Sequence, residues 1–154
     1  MTKFLLIIHV LAAVIAIGPV AVAASMFPAV ARREGAATAD GAAGARVLHR
    51  ICRVYTAVGL AVPAFGFATA SNMGVLGSGW LIASIVLTAL AAAVLGLLIL
   101  PGQETILAGL DAPDAQPAAS RVTARLAMFT GLFNLLWATV TVLMIVRPGS
   151  TTGA

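Results

Sequence analysis

Charge is what this chain has least of: nine Lys and Arg and five Asp and Glu in 154 residues, 9% in all. A soluble domain carries about 25% charged residues. So few charges cannot build a water-facing shell around a core, whereas a lipid-facing surface needs none. Cysteine is nearly absent too. Cys52 stands alone, so no intramolecular disulfide can form, and no zinc or iron–sulfur spacing exists. We read it as a small packing residue near a helix end. There are two histidines and one tyrosine, and no P-loop, nucleophile elbow, histidine-rich metal motif or pair of intramembrane carboxylates. These absences argue against an enzyme, and no catalytic residue or metal ligand set is assigned.

What the chain does have is apolar length: 61% of residues are hydrophobic and the mean hydropathy is +1.07. A membrane helix needs roughly 20 apolar residues. The run from Phe4 to Ala31 is uncharged and bounded by Lys3 and by Arg32-Arg33-Glu34. Ala21-Val22-Ala23 before Ala24 resembles a signal-peptide cleavage site. The apolar run nevertheless continues through Met26, Phe27 and Val30, and we read it as a retained span. No charge occurs from Val54 to Gln103, too long a stretch for one crossing at about 1.5 Å per residue. The turn-rich segment Ser71-Asn72-Met73-Gly74 through Gly77-Ser78-Gly79 divides it. Pro101-Gly102 should end the third span, and Arg147-Pro148-Gly149 closes the fourth. The expectation is one all-α domain over residues 1–154, an up-down bundle of four transmembrane helices at about 4–31, 51–70, 80–100 and 122–146.

The net charge of +4 and pI near 10.7 do not point to nucleic acid, because the arginines gather at the ends of apolar runs. Arg32, Arg33, Arg46, Arg50, Arg53, Arg121 and Arg125 lie on one side, and only Lys3 and Arg147 on the other. The positive-inside rule then places both connections in the cytoplasm and both termini outside. All five acidic residues fall on the same side as the seven arginines.

Small side chains let helix backbones approach closely, so small and polar faces should look inward. In span one that face is His9, Ala12, Ala13, Ala16, Val20, Ala23 and Phe27, with Ile7, Leu11, Val14 and Ile15 toward lipid. In span two it is Tyr55, Gly59, Val62, Gly66 and Thr69. In span four it is Thr123, Ala127, Thr130, Gly131, Asn134, Ala138 and Thr141, with Leu132, Leu136, Val140 and Leu143 opposite. Pro19 and Pro63 sit mid-span, and each frees the carbonyl four residues earlier, at Ile15 and Gly59. Kinks are expected at both.

His9 is the one ionisable side chain well inside an apolar span. Two readings stand side by side: a cofactor ligand for haem b or copper, and a neutral imidazole hydrogen-bonded to a carbonyl or hydroxyl of a neighbouring helix. For the second, Thr69, Ser84 and Thr141 lie at suitable depth; for the first, Met73 or Met144 would complete a His/Met site. Asn134 is read as a bond across helices. Arg46, His49, Arg50 and Arg53 form one helical stripe at the cytoplasmic end, suited to anchoring and to anionic lipids.

An early histidine in span one (His9) is followed by Gly18 and a basic first connection; span two holds Pro63 and Gly66; and the chain closes with Leu143-Met144-Ile145-Val146-Arg147-Pro148. In these features the chain resembles an uncharacterised family of small bacterial four-span membrane proteins, itself distantly similar to copper-resistance D-type proteins. The resemblance implies a fold and a location and supplies no activity. The leading expectation is a noncatalytic membrane component without a cofactor. That is either an accessory subunit of a larger complex, with other subunits or its own copies as partners, or a binder of lipid or another hydrophobic ligand. A haem or copper protein using His9, or a transporter component, is the alternative.

Overall fold

The computed structural model describes residues 2–33, 39–110 and 116–149. Four helices long and apolar enough to cross a membrane are present, Thr2–Arg32, Ala42–Met73, Gly79–Leu110 and Arg121–Val146, and the described residues include no strand. The molecule is an all-α bundle of four membrane-spanning helices. A helix satisfies every backbone amide internally, which is what a chain with this little polar side-chain capacity requires in lipid.

In chain order, α1 is Thr2–Arg33. The second span is α2 (Ala39–Gly59) followed by α3 (Ala61–Met73). The third comprises α4 (Gly79–Ala93), a π-helical turn at Val94–Ile99, and α5 (Leu100–Leu110). The fourth is α6 (Gln116–Val146). The two longest crossings, of 32 residues, reach about 48 Å at 1.5 Å per residue, against a hydrocarbon core of about 30 Å.

The third span does not stop at Pro101-Gly102. A proline inside a helix lacks an amide and presses on the carbonyl four residues back, here Leu97. The helix meets this by widening: Leu100 N–H bonds to Leu95 O in π register, and the coil runs on to Leu110. The second span breaks where Pro63 predicts. The ring opposes the Gly59 carbonyl, α2 ends at Gly59, and Leu60 N–H turns back to Ala57 O at 3.2 Å. Pro19, by contrast, lies within a continuous α1. A tight turn joins α3 to α4. Gly74 closes α3 in the left-handed region at φ 67°, and its N–H reaches Ala70 O and Ser71 O.

α1 lies along both α2 and α3 and also meets α6; α6 packs on α4, the π turn and α5; α2 touches α5. α3 and α4, though joined by the short turn, diverge beyond it. One core cluster, including Val20, Ala24, Phe27, Cys52, Leu95, Ile106, Leu126 and Phe133, fills the arginine-rich half. A small cluster of Ala70, Trp80 and Leu81 closes the tip at the opposite end.

α1 presents the expected face: Ala16, Val20, Ala23 and Phe27 are buried, while Ile7, Leu11, Val14 and Ile15 are exposed. In the second span Val62 and Thr69 are buried. α6 is rotated from expectation. Its buried seam is Thr123, Leu126, Thr130, Phe133 and Val140, whereas Ala127, Gly131, Ala138 and Thr141 are exposed. Leu136, expected at lipid, packs on the core. Lipid does not penalise a small exposed face, so small residues alone do not choose the inner side. Here bulky groups fill the space between α1 and the third span.

Candidate functional site

The bundle is filled at one end and cleft at the other. Between the pair α1–α3 and the pair α4–α6 lies a cavity of about 1140 Å³, lined by all four spans. Its walls include Val10, Ala13 and Gly18 of α1, Val62, Gly66 and Phe67 of α3, Ile85, Thr88 and Ala92 of α4, and Trp137, Val140 and Met144 of α6. Pockets for small ligands usually measure about 300–1,000 Å³ and are mostly apolar with a few placed polar groups. The polar groups here are His9, Thr88, Trp137, Thr141 and Arg147.

His9 is held by α3. Its Nδ1 donates to the Val62 carbonyl at 2.9 Å, across 53 residues of sequence. A carbonyl can only accept, so the ring proton sits on Nδ1, and in the neutral imidazole Nε2 is left as an acceptor. The ring lies against Gly66, where an added Cβ would fall 2.8 Å from His9 Cε1. Glycine at 66 is therefore what lets the imidazole reach the α3 backbone. Of the hydroxyls at suitable depth, none holds His9: Thr69, Ser84 and Thr141 bond back to Phe65, Trp80 and Trp137 of their own helices. Met144 lines the cavity with His9, while Met73 does not. Among the described residues no three His, Cys, Asp or Glu side chains gather to hold a metal ion.

Asn134 Nδ2 donates to Ser25 Oγ at 3.1 Å, joining α6 to α1. Its Oδ1 is buried without a partner among the described residues, as are Thr130 Oγ1 and the indole nitrogens of Trp80 and Trp137. Gly59 faces Ala16, with an ideal Cβ 3.9 Å from the Ala16 Cβ, so α1 and the second span approach closely there. Gly131 makes no such contact.

The arginine stripe divides. Arg46, Arg50 and Arg53 are exposed, but His49 turns inward and is only 8% exposed. Its Nδ1 donates to Gln103 Oε1 at 2.9 Å, and Gln103 Nε2 donates to Cys52 Sγ at 3.5 Å. Glu104 Oε1 lies 3.7 Å from His49 Nε2. Gln103 is fully buried and escaped the sequence reading, because Pro101-Gly102 placed it in a connection rather than a helix. Cys52 is buried, as a packing residue would be.

An apolar cleft inside four membrane-spanning helices defines a multi-pass membrane protein with a candidate internal binding site. The model of the family described as "Predicted integral membrane protein (DUF2269)" matches residues 3–148, and the chain belongs to that family. No curated protein and no solved structure matches the chain.

Proposed function

We propose that this protein is a noncatalytic binding component of the bacterial plasma membrane, holding a lipid or other hydrophobic molecule in the cleft between its two helix pairs. The observation that carries the reading is the cavity of about 1140 Å³ with apolar walls from all four spans. Filling it with apolar ligand surface is favourable at roughly 25 cal/mol per Å² removed from water. The few polar groups then orient the ligand. The charge distribution supports an orientation with the arginine-rich connections in the cytoplasm and both termini outside. An accessory role in a larger complex is compatible with this reading, since broad apolar surfaces, Val14, Phe67, Leu97 and Leu135 among them, are exposed to lipid or a partner subunit. The likeness to copper-resistance D-type proteins finds no support in the comparisons and plays no part here.

Gly18 lines the cavity, and a Cβ added there meets nothing within 4 Å. Gly18→Phe should therefore fill the cleft without disturbing the fold. Mass spectrometry of molecules co-purifying in mild detergent should find a hydrophobic species at near-stoichiometric amount in the wild type and depleted in the variant. Identical profiles would overturn the proposal.

One observation favours a second reading. His9 has Nδ1 tied to a backbone carbonyl and Nε2 without a hydrogen bond among the described residues, the arrangement by which proteins orient a ligating imidazole. A haem b or copper site through His9 would give a Soret band, or bound copper, that His9→Gln abolishes.

A further inference from the structure

Arg147 does not extend away from the end of α6. Its backbone enters the left-handed region at φ 46°, with its N–H on Leu143 O at 3.0 Å. Its side chain folds back: Nε donates to Met144 O at 3.2 Å, and the guanidinium carbon sits 5.6 Å from the centroid of the Trp80 ring. That posture places a half-buried cation on the lining of the cleft. Its terminal amino groups have no partner among the described residues. In the sequence, every Asp and Glu falls between positions 34 and 114, in or beside the two connections at the far end of the bundle. Among the described residues no side-chain carboxylate pairs with this guanidinium, while a planar fork of donors is suited to phosphate.

The shape of the cleft agrees with the charge. It runs along α1 from Leu6 to Gly18, about 18 Å at 1.5 Å per residue. One leaflet of a hydrocarbon core about 30 Å thick accounts for about 15 Å. Dividing the volume by that length gives a mean cross-section of about 60 Å², room for more than one hydrocarbon chain side by side. Val10, Val14 and Ile145 line the cavity and are also half or more exposed, so the cleft opens sideways toward lipid. Resting on the reading of the cleft as a hydrophobic-ligand site, we infer that its occupant is an anionic phospholipid of the surrounding leaflet. The phosphate is held by Arg147 at the mouth, and the acyl chains lie between the helix pairs beside His9 and Ala92.

The two tryptophans of the chain report on this directly, since Trp137 lines the cleft and Trp80 lies beneath Arg147. The protein is placed in nanodiscs of phosphatidylcholine doped with either phosphatidylglycerol or phosphatidylcholine whose acyl chains carry bromine, and tryptophan quenching is followed against mole fraction. Brominated phosphatidylglycerol should quench at about fivefold lower mole fraction, the effect of one arginine near a membrane surface. Arg147→Gln should erase that difference, and Arg147→Lys, which keeps the charge without the fork, should retain part of it. Arg50→Gln with Arg53→Gln, at the opposite end, should leave it intact. Equal quenching by the two lipids in the wild type overturns the inference, and so does a preference that survives Arg147→Gln or one lost with the Arg50 and Arg53 changes. Reversal by soluble glycerol phosphate would mean that a free phosphate, not a lipid, is recognised, and also overturns it. Gly18→Phe should weaken quenching by both lipids; if it changes neither, the cavity reading itself fails.

Discussion

Gly66→Ala is the smallest change that reaches the centre of the site. A Cβ built at Gly66 would stand 2.8 Å from His9 Cε1 and 3.1 Å from Nδ1, well inside contact distance. The ring cannot simply lean away, because its Nδ1 is committed to Val62 O at 2.9 Å on the same helix. Three terms compete. Loss of an interhelical hydrogen bond in a membrane costs about 0.6–1.7 kcal/mol. Overpacking by a methyl costs about 1–3 kcal/mol. Alanine returns about 1 kcal/mol of helix propensity. The net is a destabilisation of about 1–3 kcal/mol. Gly131→Ala provides the contrast, since nothing lies within 4 Å of its added Cβ and only the propensity gain remains. Gly59→Ala, 3.9 Å from Ala16 Cβ, makes an ordinary contact and should fall between them. Thermal unfolding in detergent, followed by tryptophan fluorescence, should rank stability as Gly131→Ala, Gly59→Ala, Gly66→Ala. The His9→Ala background should relieve the penalty at position 66, with a coupling of about 1 kcal/mol or more. A Gly66→Ala protein as stable as Gly131→Ala would refute the cradle. An additive double variant would show that the imidazole is not what the methyl meets.

The rotation of α6 predicts that Phe133→Ala, at 1% exposure, costs about 3–5 kcal/mol, whereas Leu132→Ala costs little and Gly131→Leu is tolerated. The reverse order in the same unfolding assay would restore the small-residue face to the interior. Gln103→Leu strands the His49 Nδ1 donor and should cost about 1–3 kcal/mol, while Gln103→Glu, which keeps an acceptor, should cost less. Equal losses would mean that the volume of Gln103, not its bond, matters. In a Cys52→Ala background, cysteines placed at Ala37 and Ala115 should resist an impermeant thiol reagent in intact cells, and one at Ser150 should react. Labelling in the opposite pattern would invert the orientation.

The number of spans was legible in the sequence, because backbone satisfaction in lipid leaves an uncharged run of this length no alternative to a helix. So was the inner face of α1, where Ala16, Val20 and Ala23 oppose a continuous row of Ile, Leu and Val. Two kinds of feature were not. Pro101 reads as a stop only if the helix keeps a strict four-residue register, and the π turn at Val94–Ile99 escapes that premise. Gln103 and its bond to His49 were hidden behind the same assumption. The face of α6 was misjudged for another reason. Residue size reports how near two backbones come, and α6 packs through Leu126, Phe133 and Val140 at a distance that large side chains bridge. His9 drew notice for its isolation, but its partner, a carbonyl, has no signature in any sequence.

The break in the second span lies where the packing of the bundle changes. The filled half ends near Val20 of α1, Cys52 of α2 and Phe133 of α6, and the cleft begins at Gly18, Val62, Ala92 and Trp137. Between these limits lies the break at Leu60 before Pro63, whereas the π turn at Val94–Ile99 falls within the filled half, where Leu95 and Ile99 are core residues. Prolines and π turns redirect a helix axis. The break in the second span stands at the depth where helices packed together at the arginine-rich end part into two pairs, and it sets α3 apart from the line of α2. Pro63→Ala restores an amide that can bond to the Gly59 carbonyl, and so joins α2 to α3 in one straight helix. α3 should then swing toward α4 and narrow the cleft. Spin labels at Phe67 and Ile85, which line it from the two sides, should move closer together, and quenching by brominated lipid should weaken in step. An unchanged distance would mean that side-chain packing, not the proline break, holds the cleft open.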